Sequence, residues 1–230
     1  MESTRGLFSG AIVFSTIVSA CCFSGIMIAD PGEEPPIRPP EPPQAPASTT
    51  AKVVSIKPEE IVEYPKMRPE VQKLVRESLK LTALGLGYTY GSNNPENKGM
   101  DCSGTVQRAL KAAGVKNPPR SSYTIYQWAG AAGNIRLARG VESLEDEAFQ
   151  KLKPGDLLFW EGTYATAKRK PPISHVMIYL GTWKKDGKPV IFGASSGRRF
   201  RGKKIHGVSV FDFALPRKES KAKFVGYGPV

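Results

Sequence analysis

Half of the residues from Pro31 to Pro46 are proline, and no other stretch restricts the possible folds of this chain so strongly. Each proline fixes φ and removes a backbone donor, so neither helix nor sheet can run through the segment. With Glu33, Glu34, Arg38 and Glu41 interleaved, it reads as an extended, semi-rigid spacer of polyproline type. A Pro-rich ligand for a partner domain is the alternative reading of the same composition. Ala47 to Thr50 continue the spacer with small residues. The organisation that follows is residues 1–29, a linker over 30–57, and one domain of ordinary size over 58–230.

The segment ahead of the spacer carries no charge from Gly6 to Ala29. Val18-Ser19-Ala20-Cys21 places small residues before a cysteine, which resembles the lipobox of a bacterial lipoprotein signal, with Cys21 the acylated residue. An uncleaved transmembrane anchor is the competing reading, because about 20 apolar residues suffice to span a bilayer. Both place the remainder in the cell envelope, facing the periplasm or the cell exterior and tethered to the membrane. Of the three cysteines, Cys21 and Cys22 fall in this segment, so Cys102 is the only thiol of the body and no disulfide can form within it. An unpaired cysteine in an oxidising compartment is a liability unless it has chemical work to do.

Within the body, Pro69 opens a helical pattern of Val71, Leu74, Val75, Ser78, Leu79 and Thr82, ending near Gly85. From Cys102, the spacing of Val106, Ala109, Leu110 and Ala113 predicts a second helix with Gln107, Arg108 and Lys111 outside and Gly114 as its stop. Tyr123 to Ala132 form a short third helix. Strand patterns follow at Leu157 to Trp160, Val176 to Leu180, Val190 to Ala194, Val208 to Phe211 and Phe224 to Tyr227. Asp186-Gly187 turns the second of these into the third as a hairpin. Helices in front of an antiparallel sheet make an α+β fold.

The chemistry centres on Asp101-Cys102-Ser103-Gly104 and on Ser174-His175-Val176-Met177-Ile178-Tyr179-Leu180-Gly181. A cysteine at a helix N-terminus faces unpaired N–H groups and the positive end of the helix dipole, which can lower a thiol pKa from roughly 8.5 to about 3.5–7.5. His175 is one of only two histidines in the chain, the other being His206. A thiol and an imidazole in this order suit nucleophilic attack on a carbonyl.

These blocks, with Gly87-Tyr88-Thr89-Tyr90-Gly91-Ser92 before the nucleophile and Gly155-Asp156-Leu157-Leu158-Phe159-Trp160 after it, resemble those of NlpC/P60 cell-wall peptidases in their order. The resemblance implies a papain-like fold and a cysteine endopeptidase acting on peptidoglycan stem peptides, most specifically at the γ-D-glutamyl to diamino-acid bond. Cys102 would be the nucleophile, His175 the base, and the Tyr88 hydroxyl with the Cys102 N–H the oxyanion donors. Asp101, Ser103, Arg120 and Ser122 line the same region as candidate substrate contacts, with Arg120 read first as a partner that fixes the loop beside Asp101. The third member of the family's catalytic set lies before an Ala-Ser pair, where this chain has Gly193. The ring of His175 must then be oriented by a backbone carbonyl or water, by Ser195, or by His206, in that order. The reaction calls for no cofactor, and no metal site is expected.

A net charge of +12 gathers in Lys168-Arg169-Lys170, in Arg198 to Lys204 and in Arg217 to Lys223. Such runs suit solvated loops, anionic polymers or membrane surfaces, and an exported chain seldom meets nucleic acid. The Gly193 position also keeps open a catalytically silent wall-binding or scaffold protein. Acyl transfer on lipids, as in relatives with permuted motif order, is disfavoured because Cys102 precedes His175.

Overall fold

The computed structural model describes residues 53–131 and 133–230. Cys21, the apolar segment around it and the proline-rich run lie outside the described residues. Two 3-10 turns, Pro58–Glu60 and Tyr64–Lys66, lead into α1 (Pro69–Thr82), followed by β1 (Gly87–Tyr88), β2 (Gly99–Met100), α2 (Cys102–Ala113), α3 (Ser122–Gly130) and β3 (Arg136–Leu137). The second half is strand: β4 (Leu157–Glu161), β5 (Ile173–Thr182), β6 (Pro189–Ser195), β7 (Arg199–Phe200), β8 (Lys203–Lys204), β9 (Gly207–Asp212) and β10 (Lys223–Gly228). None of the described helices is long and apolar enough to cross a membrane.

Six strands form one sheet in the order β3-β10-β4-β5-β6-β9, every neighbour antiparallel. The fold is α+β, as the run of helices followed by a run of strands predicts. β5 is buried from Ile173 through Gly181 because it lies centrally and is covered on both faces. α2 packs against β5 and β6 and α3 against β5, with Tyr126 edge-on to Phe159 at 5.1 Å. Beyond Trp160, the rings of Phe149, Phe213, Phe224 and Tyr227 fill the core.

Packing on the sheet begins ahead of residue 58. The Val54 N–H donates to Ser209 Oγ at 2.8 Å, the Val210 N–H donates to the Val54 carbonyl at 3.0 Å, and Ile56 is buried. Val54, which composition places in the linker, is thus bonded to β9, and Ser55 accepts from Thr82 Oγ1 on α1 at 2.6 Å. The strand β3 escapes sequence patterning because two residues are too few to show a period.

Gln107 corrects the expected outer face of α2: it is buried, donating to the Pro118 carbonyl at 2.9 Å and accepting from Asn93 Nδ2 at 2.9 Å. Loops from both sides close over that flank of the helix, so a polar side chain there is an internal tie and not a solvated group. Arg108 and Lys111 are exposed, as their spacing predicts.

Candidate active site

The N-terminus of α2 is held by a dense polar network. Asp101 is its N-cap, with extended φ and ψ of −86° and 174°, and Oδ1 accepts the Gly104 N–H at 2.6 Å. Arg120 clamps the same carboxylate from both ends, Nη1 to Oδ1 at 3.0 Å and Nη2 to Oδ2 at 2.7 Å, and Nη1 also reaches Ser103 Oγ at 2.9 Å. This is the planar, bidentate pairing for which a guanidinium is suited. Glycine is required at 104, since a Cβ there would stand 2.3 Å from the Ser92 carbonyl oxygen. The loop 92–94 presses directly on the first turn.

Asp101, Ser103 and Arg120, expected among the substrate contacts, therefore take each other as partners. Ser122 opens α3 and donates to the Ile173 carbonyl at 3.4 Å, tying α3 to β5. Each of the four has an internal role in fixing the region around Cys102.

Cys102 is buried at the start of α2, the helix that packs against β5 and β6. His175 lies on β5, so this packing sets the strand of the imidazole against the helix of the thiol. Burial reverses the direction expected for a helix-start thiol: desolvation, aided by the Asp101 charge, pushes the Cys102 pKa up to about 12. His175 is likewise buried, and desolvation, aided by the charge of Arg198, lowers it to about 3. Near neutral pH, Cys102 is thus a neutral thiol and His175 a neutral imidazole.

Tyr88 on β1 has its pKa raised by burial first and then by the proximity of Cys102 and Asp101, so its hydroxyl stays a donor. Tyr90 and Tyr164, edge-on at 6.1 Å, also sense Cys102. Tyr164 belongs to the connection between β4 and β5, which Thr163 fixes through 2.7 and 3.0 Å bonds to Ser174 Oγ. These tyrosines border the thiol, and of the three only Tyr88 is foreseen from the sequence.

The residues considered for orienting His175 fare differently. Ser195 Oγ accepts the N–H groups of Gly197 and Arg198 at 3.2 and 3.1 Å, which commits it to the turn after β6. His206 packs edge-on against Tyr88 at 6.2 Å, beside the proposed oxyanion donor. The place expected for the third residue is filled from the neighbouring strand: a Cβ on Gly193 would lie 2.8 Å from Met177 Cε and 3.1 Å from its Cγ. Nε2 of His175 is buried without a hydrogen-bond partner among the described residues.

Two further residues define the surroundings of His175. Trp160 sits opposite it in the β4–β5 register, with ring centroids 5.7 Å apart. Arg198 lies over the Trp160 ring, its guanidinium carbon 4.0 Å from the centroid. Trp160 could have been placed from strand pairing, but Arg198 was hidden in a basic run that composition assigns to solvent. Among the described residues, no group of three or more His, Cys, Asp or Glu side chains is placed to hold a metal ion.

The NlpC/P60 family profile matches residues 85–206, more than half of the chain. This chain belongs to the NlpC/P60 family. It is similar to the γ-DL-glutamyl hydrolase of Bacillus subtilis, 35% identical over 98 residues, which cover 43% of this chain and 19% of that protein. It is also similar to the bifunctional muramidase/DL-endopeptidase CwlT of the same species, 36% identical over 110 residues, 48% of this chain and 26% of that one. The matched regions are thus about a fifth to a quarter of these relatives' lengths. A solved Staphylococcus aureus protein described as similar to a lipoprotein of the NLP/P60 family aligns over 79% of this chain and 45% of its own, at 22% identity and a TM-score of 0.45.

Proposed function

We propose that this protein is a cysteine endopeptidase of peptidoglycan stem peptides, acting at the γ-D-glutamyl to diamino-acid bond. The observation that carries this reading is the placement of buried Cys102 at the start of α2, packed against β5, the strand that holds His175. The bond assignment draws on the two relatives whose names specify γ-DL-glutamyl hydrolysis and DL-endopeptidase activity.

A neutral pair sets the order of events. Sγ attacks the carbonyl carbon as its proton passes to His175, so the thiolate and imidazolium form together and only with substrate in place. The oxyanion is received by the Cys102 N–H, which has no intrahelical acceptor at this first position, and by the Tyr88 hydroxyl. One such donor is worth about 2.7–4 kcal/mol of barrier. His175 returns its proton to the leaving amine as the C–N bond breaks. It then takes a proton from water, whose oxygen attacks the thioester carbonyl; the C–S bond breaks, the carboxylic acid is released, and His175 returns the proton to Sγ.

A catalytically silent wall-binding protein is the second reading, favoured by Gly193 and by the unpartnered His175 Nε2. Purified muropeptides incubated with wild type, Cys102→Ala, His175→Ala and His206→Ala, with products read by mass spectrometry, separate the two. The peptidase predicts product with wild type and, within roughly tenfold, with His206→Ala, and none with the other variants. No product with wild type across several muropeptide classes establishes the binding reading. The proposal extends to membrane tethering through acylated Cys21, for which intact mass of membrane-extracted protein should show a chain beginning there. A chain starting at Met1 and retained in membranes would indicate a transmembrane anchor.

A further inference from the structure

Arg198 is a half-buried cation that no carboxylate neutralises among the described residues. Its guanidinium lies on the face of Trp160, whose ring also contacts His175. The backbone fixes its position at both ends: Ser195 Oγ accepts the Arg198 N–H at 3.1 Å, and the Arg198 carbonyl accepts the Ile205 N–H at 2.9 Å. A guanidinium so placed differs from the neighbouring Arg199, whose side chain turns outward to the Gly202 carbonyl at 2.6 Å.

We propose that Arg198 is a substrate-binding residue that receives the free carboxylate of the residue acylating Cys102, so that the site selects a γ-linked over an α-linked acidic residue. This rests on the peptidase reading above. An acidic residue joined through its side-chain carbonyl keeps its α-carboxylate, whereas one joined through its α-carbonyl has spent that group in the chain. A cation fixed on the ring that packs against His175 can read this difference at the reacting residue.

The electrostatics agree with this geometry. Arg198 is only half-buried as a whole residue, yet its charged end is desolvated enough to bring its pKa down to about 10. An unpaired desolvated charge is costly, and an arriving carboxylate removes that cost with charge-assisted hydrogen bonds. The same carboxylate offsets the field with which Arg198 disfavours the imidazolium of His175. Ser195 thereby acquires a role: its hydroxyl sets the turn that aims Arg198.

The test uses two muropeptides that differ only at this group, one with the γ-linked D-glutamate carboxylate free and one with it amidated. Wild type should favour the free acid by roughly 10- to 100-fold in kcat/KM, the range of one charged hydrogen-bonded contact. Arg198→Met should bring the ratio near one through a raised KM for the acid alone, and Arg198→Lys should keep part of the preference. A wild-type ratio near one overturns the assignment, as does an unchanged ratio in Arg198→Met. Calorimetric binding of the L-alanyl-γ-D-glutamate dipeptide and its amide to Cys102→Ala, with and without Arg198→Met, asks the same question without turnover. Absence of hydrolysis by wild type defeats the peptidase reading, whereas equal binding of acid and amide defeats this one.

Discussion

Removing the charge at Asp101 tests how the start of α2, and with it Cys102, is held. In Asp101→Asn, the Oδ1 acceptor for the Gly104 N–H at 2.6 Å is retained, so the N-cap survives while the ion pair with Arg120 is lost. Breaking a fully buried pair costs about 3–5 kcal/mol. Here the Asp101 side chain is 8% exposed but that of Arg120 is 35% exposed, so the stranded guanidinium can be rehydrated and the cost falls to about 1–2 kcal/mol. Asp101→Ala also forfeits the cap, worth about 1 kcal/mol, for a total of about 2–3 kcal/mol. Arg120→Met leaves the more buried carboxylate with only its Gly104 and Ser103 donors and should cost about 2–3 kcal/mol. Urea unfolding of wild type, Asp101→Asn, Arg120→Met and the double variant closes a cycle with an expected coupling of about 1–2 kcal/mol at unchanged slope. A coupling below about 0.5 kcal/mol would refute the clamp as an energetic unit.

Gly104→Ala should destabilise by about 3 kcal/mol or more, because its Cβ meets the backbone oxygen of Ser92 and neither side can give way; a midpoint shift worth under 1 kcal/mol would contradict that contact. Stability should decline on both sides of neutrality. Below the ordinary histidine pKa of 6.5, the unfolded chain binds a proton that His175 refuses until about pH 3, so stability falls as pH drops through that window. Above 9, the unfolded chain ionises a thiol that Cys102 keeps protonated to about 12, so stability falls again as pH rises. Denaturant midpoints of wild type and Cys102→Ala should differ in slope only on the alkaline side. Gly193→His should collide with Met177 and destabilise by about 1–3 kcal/mol, and adding Met177→Ala should recover most of the loss in a thermal melt; no recovery would mean that Met177 does not fill the orienting position.

The elements themselves were largely written in local patterns. The Pro69 start of α1, the Cys102 start and Gly114 stop of α2, and the strands β4, β5, β6, β9 and β10 follow from periodicity and turn chemistry. β3, β7 and β8 did not, being two residues each. Gln107 was misplaced because helical spacing registers one apolar stripe and is blind to loops that close over its flank. The Asp101–Arg120 pair was legible as complementary charges near the nucleophile, although its bidentate geometry was not.

By itself the sequence determined which residues could do chemistry: one thiol in the body, at a helix start, and one histidine within a strand. Their covalent identity and local register are properties of adjacent residues, so they can be read without the fold. The tertiary structure decided what those groups are at rest. Burial, which depends on contacts remote in sequence, moves the thiol up and the imidazole down, against the direction implied by the helix N-terminus alone. It also lifted Arg198 out of a basic run and laid it on Trp160 beside the base, because where a side chain points after a turn is set by the strand it lands against and not by its neighbours in the chain.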